Sequence, residues 1–182
     1  MKKVILFFVS LIASLSMWGQ SFSDFVFGVD LGTSKSQLES LVNRNNSNLR
    51  RTTELNGIEY YVCDVRTPFG RPVFGLKYGE VVIISFSESG YVFKSSLNDD
   101  NAFGDQARAE AENYESRCMD LFQNAKSMLQ SSIGRGTSYG LYEHRWNLPK
   151  GTVTLKYSKD EFNGMGWGND TQINWRTVLE YK

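Results

Sequence analysis

One histidine, two cysteines and three prolines are all that this chain of 182 residues holds of those types. Its formal charges cancel, with 20 Lys+Arg against 20 Asp+Glu. A single imidazole excludes a His-rich metal site and makes any Ser-His-Asp triad depend on His144 alone. The absence of a basic excess argues against a general nucleic-acid binder, which must neutralise phosphates. Few prolines and a 14% aromatic fraction describe a folded chain rather than a disordered one. Nothing in the motifs calls for a cofactor or a metal.

What is present begins with an export signal. Lys2 and Lys3 precede an apolar run from Val4 to Leu15, broken only by Ser10 and Ser14. About 12 residues suits the core of a signal peptide and falls short of the ~20 needed to span a bilayer. Small residues follow, and cleavage is expected after Ser16 or, preferably, after Gly19, so that residues 1–19 form the signal peptide and Gln20 becomes the first residue. An uncleaved membrane anchor is the alternative. No Cys lies near the cleavage site, which argues against a lipid anchor. Loss of Lys2 and Lys3 leaves 18 basic against 20 acidic residues in a slightly acidic chain. It has no second apolar stretch of spanning length, and the expected location is the periplasm or the outside of the cell. A monomer is compatible with all of this.

Export bears on Cys63 and Cys118, because a disulfide between them would persist in an oxidising compartment. The other reading is two separately buried thiols.

The remaining chain divides by pattern into two halves, 20–98 and 99–182. Ser34 with Gln37 fits a capping box, and Leu38, Leu41 and Val42 continue at helical spacing, which predicts a helix over 34–44. Asn43 to Asn48 reads as a loop. Strands are predicted over Ile58–Val65, Val73–Tyr78 and Val81–Phe86, with Tyr91–Phe93 extending the meander. In the second half the apolar positions Ala107, Ala111, Tyr114, Cys118, Leu121, Phe122, Ala125 and Leu129 step by three and four. They predict a long helix over 105–133 ending at Gly134. Strands then follow over Tyr139–Trp146, Thr152–Tyr157 and Thr171–Tyr181. The fold class expected is α+β: two α-β-β-β repeats forming an antiparallel sheet packed by one short and one long helix. Leu76-Lys77-Tyr78 and Leu155-Lys156-Tyr157 repeat at matching places.

The stretch Phe27-Gly28-Val29-Asp30-Leu31-Gly32-Thr33-Ser34-Lys35-Ser36-Gln37-Leu38 resembles the opening of small exported bacterial modules. In those, a Gly-x-Ser/Thr-Lys-x-Glu/Gln-Val/Leu segment starts a helix that leads into an antiparallel meander. This is the style of the β-lactamase-inhibitor-like and outer-membrane-assembly small-lipoprotein (SmpA/OmlA) superfamily. The resemblance implies a binding, inhibitory or scaffold role rather than catalysis. The chain departs from the lipoprotein branch in lacking a lipidation Cys, and no functional residue transfers by position.

Candidate binding residues are aromatic. Trp146, Trp175, Tyr142, Tyr157 and Tyr181 fall on the second-half strands, and either face the helices or form an open binding face. Trp167 and Met165 lie in the Gly-rich segment 163–170, where an exposed Trp would anchor a protein or envelope glycan. Gly164-x-Gly166-x-Gly168 lacks the strand-to-helix setting of a dinucleotide site. The competing reading is a secreted hydrolase using Asp99/Asp100 or Asp160/Asp170 with His144, in which paired carboxylates must lie about 5–10 Å apart. Glu161 neighbours the second pair, and neither cluster has calcium-loop spacing. A structural cell-envelope protein is the third reading.

Overall fold

The computed structural model describes residues 21–165 and 170–182, with the Met165 side chain outside that description. The expected export signal over 1–19 lies outside the described residues.

A short 3-10 turn, Phe22–Phe25, opens the described chain under a capping box between Ser21 and Asp24. Helix α1, Lys35–Arg44, starts where the sequence places it. The Ser34 N–H donates to Gln37 Oε1 at 3.1 Å, and the Gln37 N–H donates to Ser34 Oγ at 3.4 Å. This reciprocal pair satisfies two N–H groups that the first turn leaves free.

Four strands follow: β1 Leu49–Leu55, β2 Ile58–Cys63, β3 Val73–Lys77 and β4 Glu80–Phe93. A one-turn helix α2, Lys94–Leu97, leads to α3, Ala102–Ile133. Asn101 Oδ1 caps α3 by accepting from the N–H groups of Phe103 and Gly104 at 2.9 and 3.1 Å. At 1.5 Å per residue α3 is about 48 Å long. The chain then forms β5 Thr137–Ser138, β6 Glu143–Leu148, β7 Gly151–Met165 and β8 Asp170–Tyr181. No helix among the described residues is long and apolar enough to cross a membrane.

The protein is α+β, with an antiparallel sheet in the order β1-β2-β3-β4-β8-β7-β6-β5. Each half of the chain contributes its strands as one contiguous meander, and the two meanders meet where β4 pairs with β8. Each half holds four strands, not the expected three, so an α-β-β-β unit does not describe it. The extra strand in the first half is β1, exposed along nearly all its length. It carries no apolar alternation, because an edge strand with little buried surface needs none. Its turn was nonetheless written in Asn56-Gly57, both at positive φ (52° and 73°), the pairing that two-residue hairpins favour. In the second half, a turn over 139–142 with Gly140 at φ 79° replaces the start of the expected strand 139–146, so β5 lies before that strand and β6 keeps only its later part. The repeated Leu-Lys-Tyr also diverges: Tyr157 is buried, whereas Tyr78 is a turn residue at φ 54°, almost fully exposed.

Both long helices lie on the same face of the sheet. The Thr177 hydroxyl donates to the Cys118 carbonyl at 2.6 Å, and Trp146 Nε1 donates to the Gly134 carbonyl at 2.9 Å, which fastens α3 to β8 and β6. The N-terminal segment packs beside it. The Phe22 ring meets Tyr181 at 4.9 Å, and Phe69 bridges Phe22 and Phe86. Phe74, Ile84, Phe86, Phe122, Leu129, Leu155 and Leu179 join one continuous core that draws on both halves. Each such side chain contributes roughly 1.5–3 kcal/mol by leaving water.

Gly90 sets how closely α3 approaches. A Cβ there would stand 2.0 Å from the Tyr114 ring, so the ring rests directly on the β4 backbone.

Candidate functional site

Side chains alternate across a strand, and β8 makes the consequence plain. Ile173, Trp175, Thr177, Leu179 and Tyr181 are buried beneath the helices. Gln172, Asn174, Arg176, Val178 and Glu180 point to the other face, which no helix among the described residues covers.

On that open face, register builds three rows across β4, β8 and β7. Phe93, Gln172 and Phe162 form the first, Tyr91, Asn174 and Asp160 the second, and Ser89, Arg176 and Ser158 the third. Neighbouring strands lie about 4.8 Å apart. Phe93 and Phe162 therefore bracket the Gln172 amide at a separation of about 10 Å. The Tyr91 ring meets Phe93 edge-on at 6.0 Å. The Gln172 amide N–H donates to Asn174 Oδ1 at 3.0 Å, which fixes both amides relative to the rings. All of these except Phe93 and Ser158 line a groove of about 690 Å³, to which Ser87 adds a hydroxyl, and Tyr114 and Trp175 border it from the helix side of the sheet at Gly90. Tyr91 is 54% exposed and Phe162 50% exposed, with no helix or strand of the described residues above them. Asp160 and Arg176 are the charged residues of the lining, one of each sign.

The opposite end of the open face differs. Arg145, Lys156 and Lys182 surround Glu180 there, around a second depression of about 510 Å³. Lys182 pairs with Glu180 at 2.6 Å, and the Arg145 guanidinium stacks on Tyr139 at 4.5 Å.

The aromatic residues expected to form the binding face are placed differently. Trp146 is 3% and Trp175 2% exposed, and both, with Tyr157 and Tyr181, fill the space under the helices. The cause is α3, whose small and apolar residues Cys118, Phe122 and Ala125 need bulky partners beneath them. Burial pushes the Tyr157 and Tyr181 hydroxyls up to about 12. Tyr142 is half exposed at the helix side, where its ring meets Phe122 and Tyr157. Met165 ends β7, and Trp167 lies outside the described residues.

No disulfide joins Cys63 and Cys118; both thiols are free and buried. Cys63 sits on β2 against Ser47 Oγ at 3.1 Å, whereas Cys118 donates to the Glu88 carbonyl of β4 at 3.4 Å. β2 and β4 are two strand spacings apart, about 10 Å, beyond the reach of a bridge. Burial pushes the Cys118 thiol up, which leaves it protonated and inert.

The residues of the hydrolase reading are not brought together. His144 is buried under α3 beside Phe122 and Trp146, with Nδ1 lacking a hydrogen-bond partner among the described residues. Burial, and then Lys126, lowers its pKa. Asp160 lies on the opposite face. Asp160 stands across from Asn174, so Asp170 is four residues further along β8, about 13 Å away. Asp170 accepts hydrogen bonds from the Ser95 hydroxyl and N–H and holds α2 to β8. The Ser95 hydroxyl keeps its carboxyl below the usual range. The Asp99 carbonyl accepts from Arg108 at 3.1 Å at the turn into α3. No group of three or more His, Cys, Asp or Glu converges among the described residues.

No protein-family model, curated protein or solved structure matches this chain.

Proposed function

We propose that the chain is an exported, non-catalytic binding module that meets a protein or an envelope glycan through the open face of its sheet. The observation that carries this reading is the groove over β4, β8 and β7: half-exposed rings, amides locked to each other, and balanced charge, on a face that no helix among the described residues covers. A floor of three paired strands holds such groups in place at little entropic cost on binding. The separation of His144 from Asp160, and of Asp160 from Asp170, favours binding over carboxylate chemistry. The apolar run before Ser21 supports export.

Immobilised protein exposed to native envelope extract tests the reading. Wild type is expected to retain a specific component that Phe162→Ala loses, since the ring is a wall of the groove. Equal retention by both would overturn the assignment to this face. Trp167→Ala in parallel asks whether the Gly-rich segment takes part.

A further inference from the structure

We infer that the groove over β4, β8 and β7 is a subsite for an uncharged oligosaccharide. The inference rests on the binding-module reading and narrows its ligand.

Three features select this chemistry. The first is the floor. β8 is paired on both sides along the groove, whereas β4 beyond Ser85 and β7 beyond Tyr157 pair with β8 alone, so the backbone of the central floor is consumed. An extended peptide added as a strand to the free side of β4 or β7 would lie beside the groove and not on its floor. Recognition on the floor itself must come from side chains.

The second is charge. One carboxylate, Asp160, and one guanidinium, Arg176, stand in adjacent rows and offset each other, while the other polar groups are hydroxyls and amides. An anionic polymer or lipid headgroup would require a cationic excess. A neutral ligand dense in hydroxyls matches donors and acceptors of this kind: Asn174 and Gln172 offer both, Asp160 accepts, and Arg176 donates.

The third is the pairing of rings with amides. Tyr91 and Phe162 present apolar faces on either side of Asn174 and Gln172. A pyranose has a polar rim of hydroxyls and an apolar face of C–H groups. Its faces pack on rings, while its rim bonds to fixed amides between them. At about 690 Å³ the groove falls within the range of small-ligand sites, roughly 300–1,000 Å³. It opens along the sheet surface, which suits a chain of sugars better than a single one.

The test is isothermal titration of the protein with four probes: the β-1,4-linked N-acetylglucosamine tetramer, cellotetraose, maltotetraose and tetragalacturonate. At least one neutral tetramer is expected to bind, with affinity changing less than about twofold between low and high salt, since no net charge is exchanged. Phe162→Ala and Asn174→Ala are each expected to weaken binding about tenfold or more. Thr154→Ala, on the same face but in the charged end, is expected to leave it unchanged. Both groove side chains face solvent, so unchanged melting curves separate loss of binding from loss of fold.

Preference for tetragalacturonate with steep salt dependence would overturn the uncharged class. Binding that survives both groove variants would overturn the site. If no tetramer binds at 10 mM (~10⁻² M, weaker than the millimolar end of specific affinity) while Phe162→Ala still loses an envelope component, the saccharide fails and the binding module stands. If that capture is also unaffected, both fall.

Discussion

Trp175 and Asn174 are consecutive in the chain, yet the sheet separates them into different environments. The first is sealed beneath α3, with Lys159 over its ring at 5.2 Å. The second stands on the open face between Tyr91 and Asp160. The same alternation runs the length of β4, β7 and β8. It divides the molecule into a face that holds the fold together and a face available to a ligand. The division teaches that aromatic content is a poor guide to recognition here. The large rings of the second half serve stability, and the groove is built mainly from hydroxyls and amides with a few smaller rings.

The largest contrast is expected in stability. Leu179→Ala, fully buried on the helix face, should cost about 2–5 kcal/mol, because the cavity left behind adds to the lost transfer energy. Glu180→Ala, the next residue on the open face, should stay within about 0.5 kcal/mol. Denaturant midpoints measured on both variants check this, and equal losses would break the two-face account.

Gly90→Val comes next. The added side chain collides with the Tyr114 ring, and overpacking of this kind should cost about 1–3 kcal/mol. Introducing Tyr114→Ala beside it should restore part of the loss. Failure of that rescue in thermal melts would show that the strain lies in the backbone of β4, not in the packing of α3.

The smallest effect concerns pH. His144 is buried, and burial with Lys126 lowers its pKa from 6.5. The unfolded chain therefore takes up this proton at a higher pH than the folded one. The stability linked to neutral His144 is present above about 6.5 and is lost as pH falls through that value towards the lower folded pKa. Urea midpoints between pH 7.5 and 5 should fall more steeply for wild type than for His144→Phe. Parallel slopes would remove His144 from the account.

Much of the helix face was legible before any coordinates. The capping box at Ser34, the long apolar stripe from Ala107 to Leu129 and the stop at Gly134 each express a local rule, and each element stands where that rule puts it. The interior strands were legible for the same reason: a buried strand must carry a regular apolar pattern. β1 was not, because an exposed edge strand is under no such requirement, although Asn56-Gly57 announced its hairpin. Asp99, a candidate carboxylate in the hydrolase reading, serves the corner before α3, where its carbonyl accepts from Arg108.

The orientation of the faces was not legible at all. Alternation groups His144 with Trp146 and Trp175 with Leu179, but it carries no sign; only the tertiary contact with α3 decides which group is inside. The groove residues had a weak signal that went unused. Positions 172, 174, 176 and 180 are polar while 173, 175, 179 and 181 are apolar, so β8 already separated an open face from a closed one. Tyr91–Phe93 was expected to extend the meander, but its continuity with Val81–Phe86 in one strand was not, and the reach of β7 past its predicted end, which brings Phe162 beside Gln172, was invisible. Gly90 and the Gly-rich segment looked like breaks, and the strands run through or up to them.

The most direct measurement uses the two neighbours themselves. Asn174→Ala and Trp175→Ala are each assayed for denaturant midpoint and for retention of the component that wild type captures. The account predicts that Asn174→Ala keeps the midpoint and loses retention, while Trp175→Ala loses several kcal/mol of stability, in the range of about 3–5 expected for a buried Trp. Full retention by a stable Asn174→Ala protein, or an unchanged midpoint in Trp175→Ala, would contradict the assignment of one face to the fold and the other to recognition.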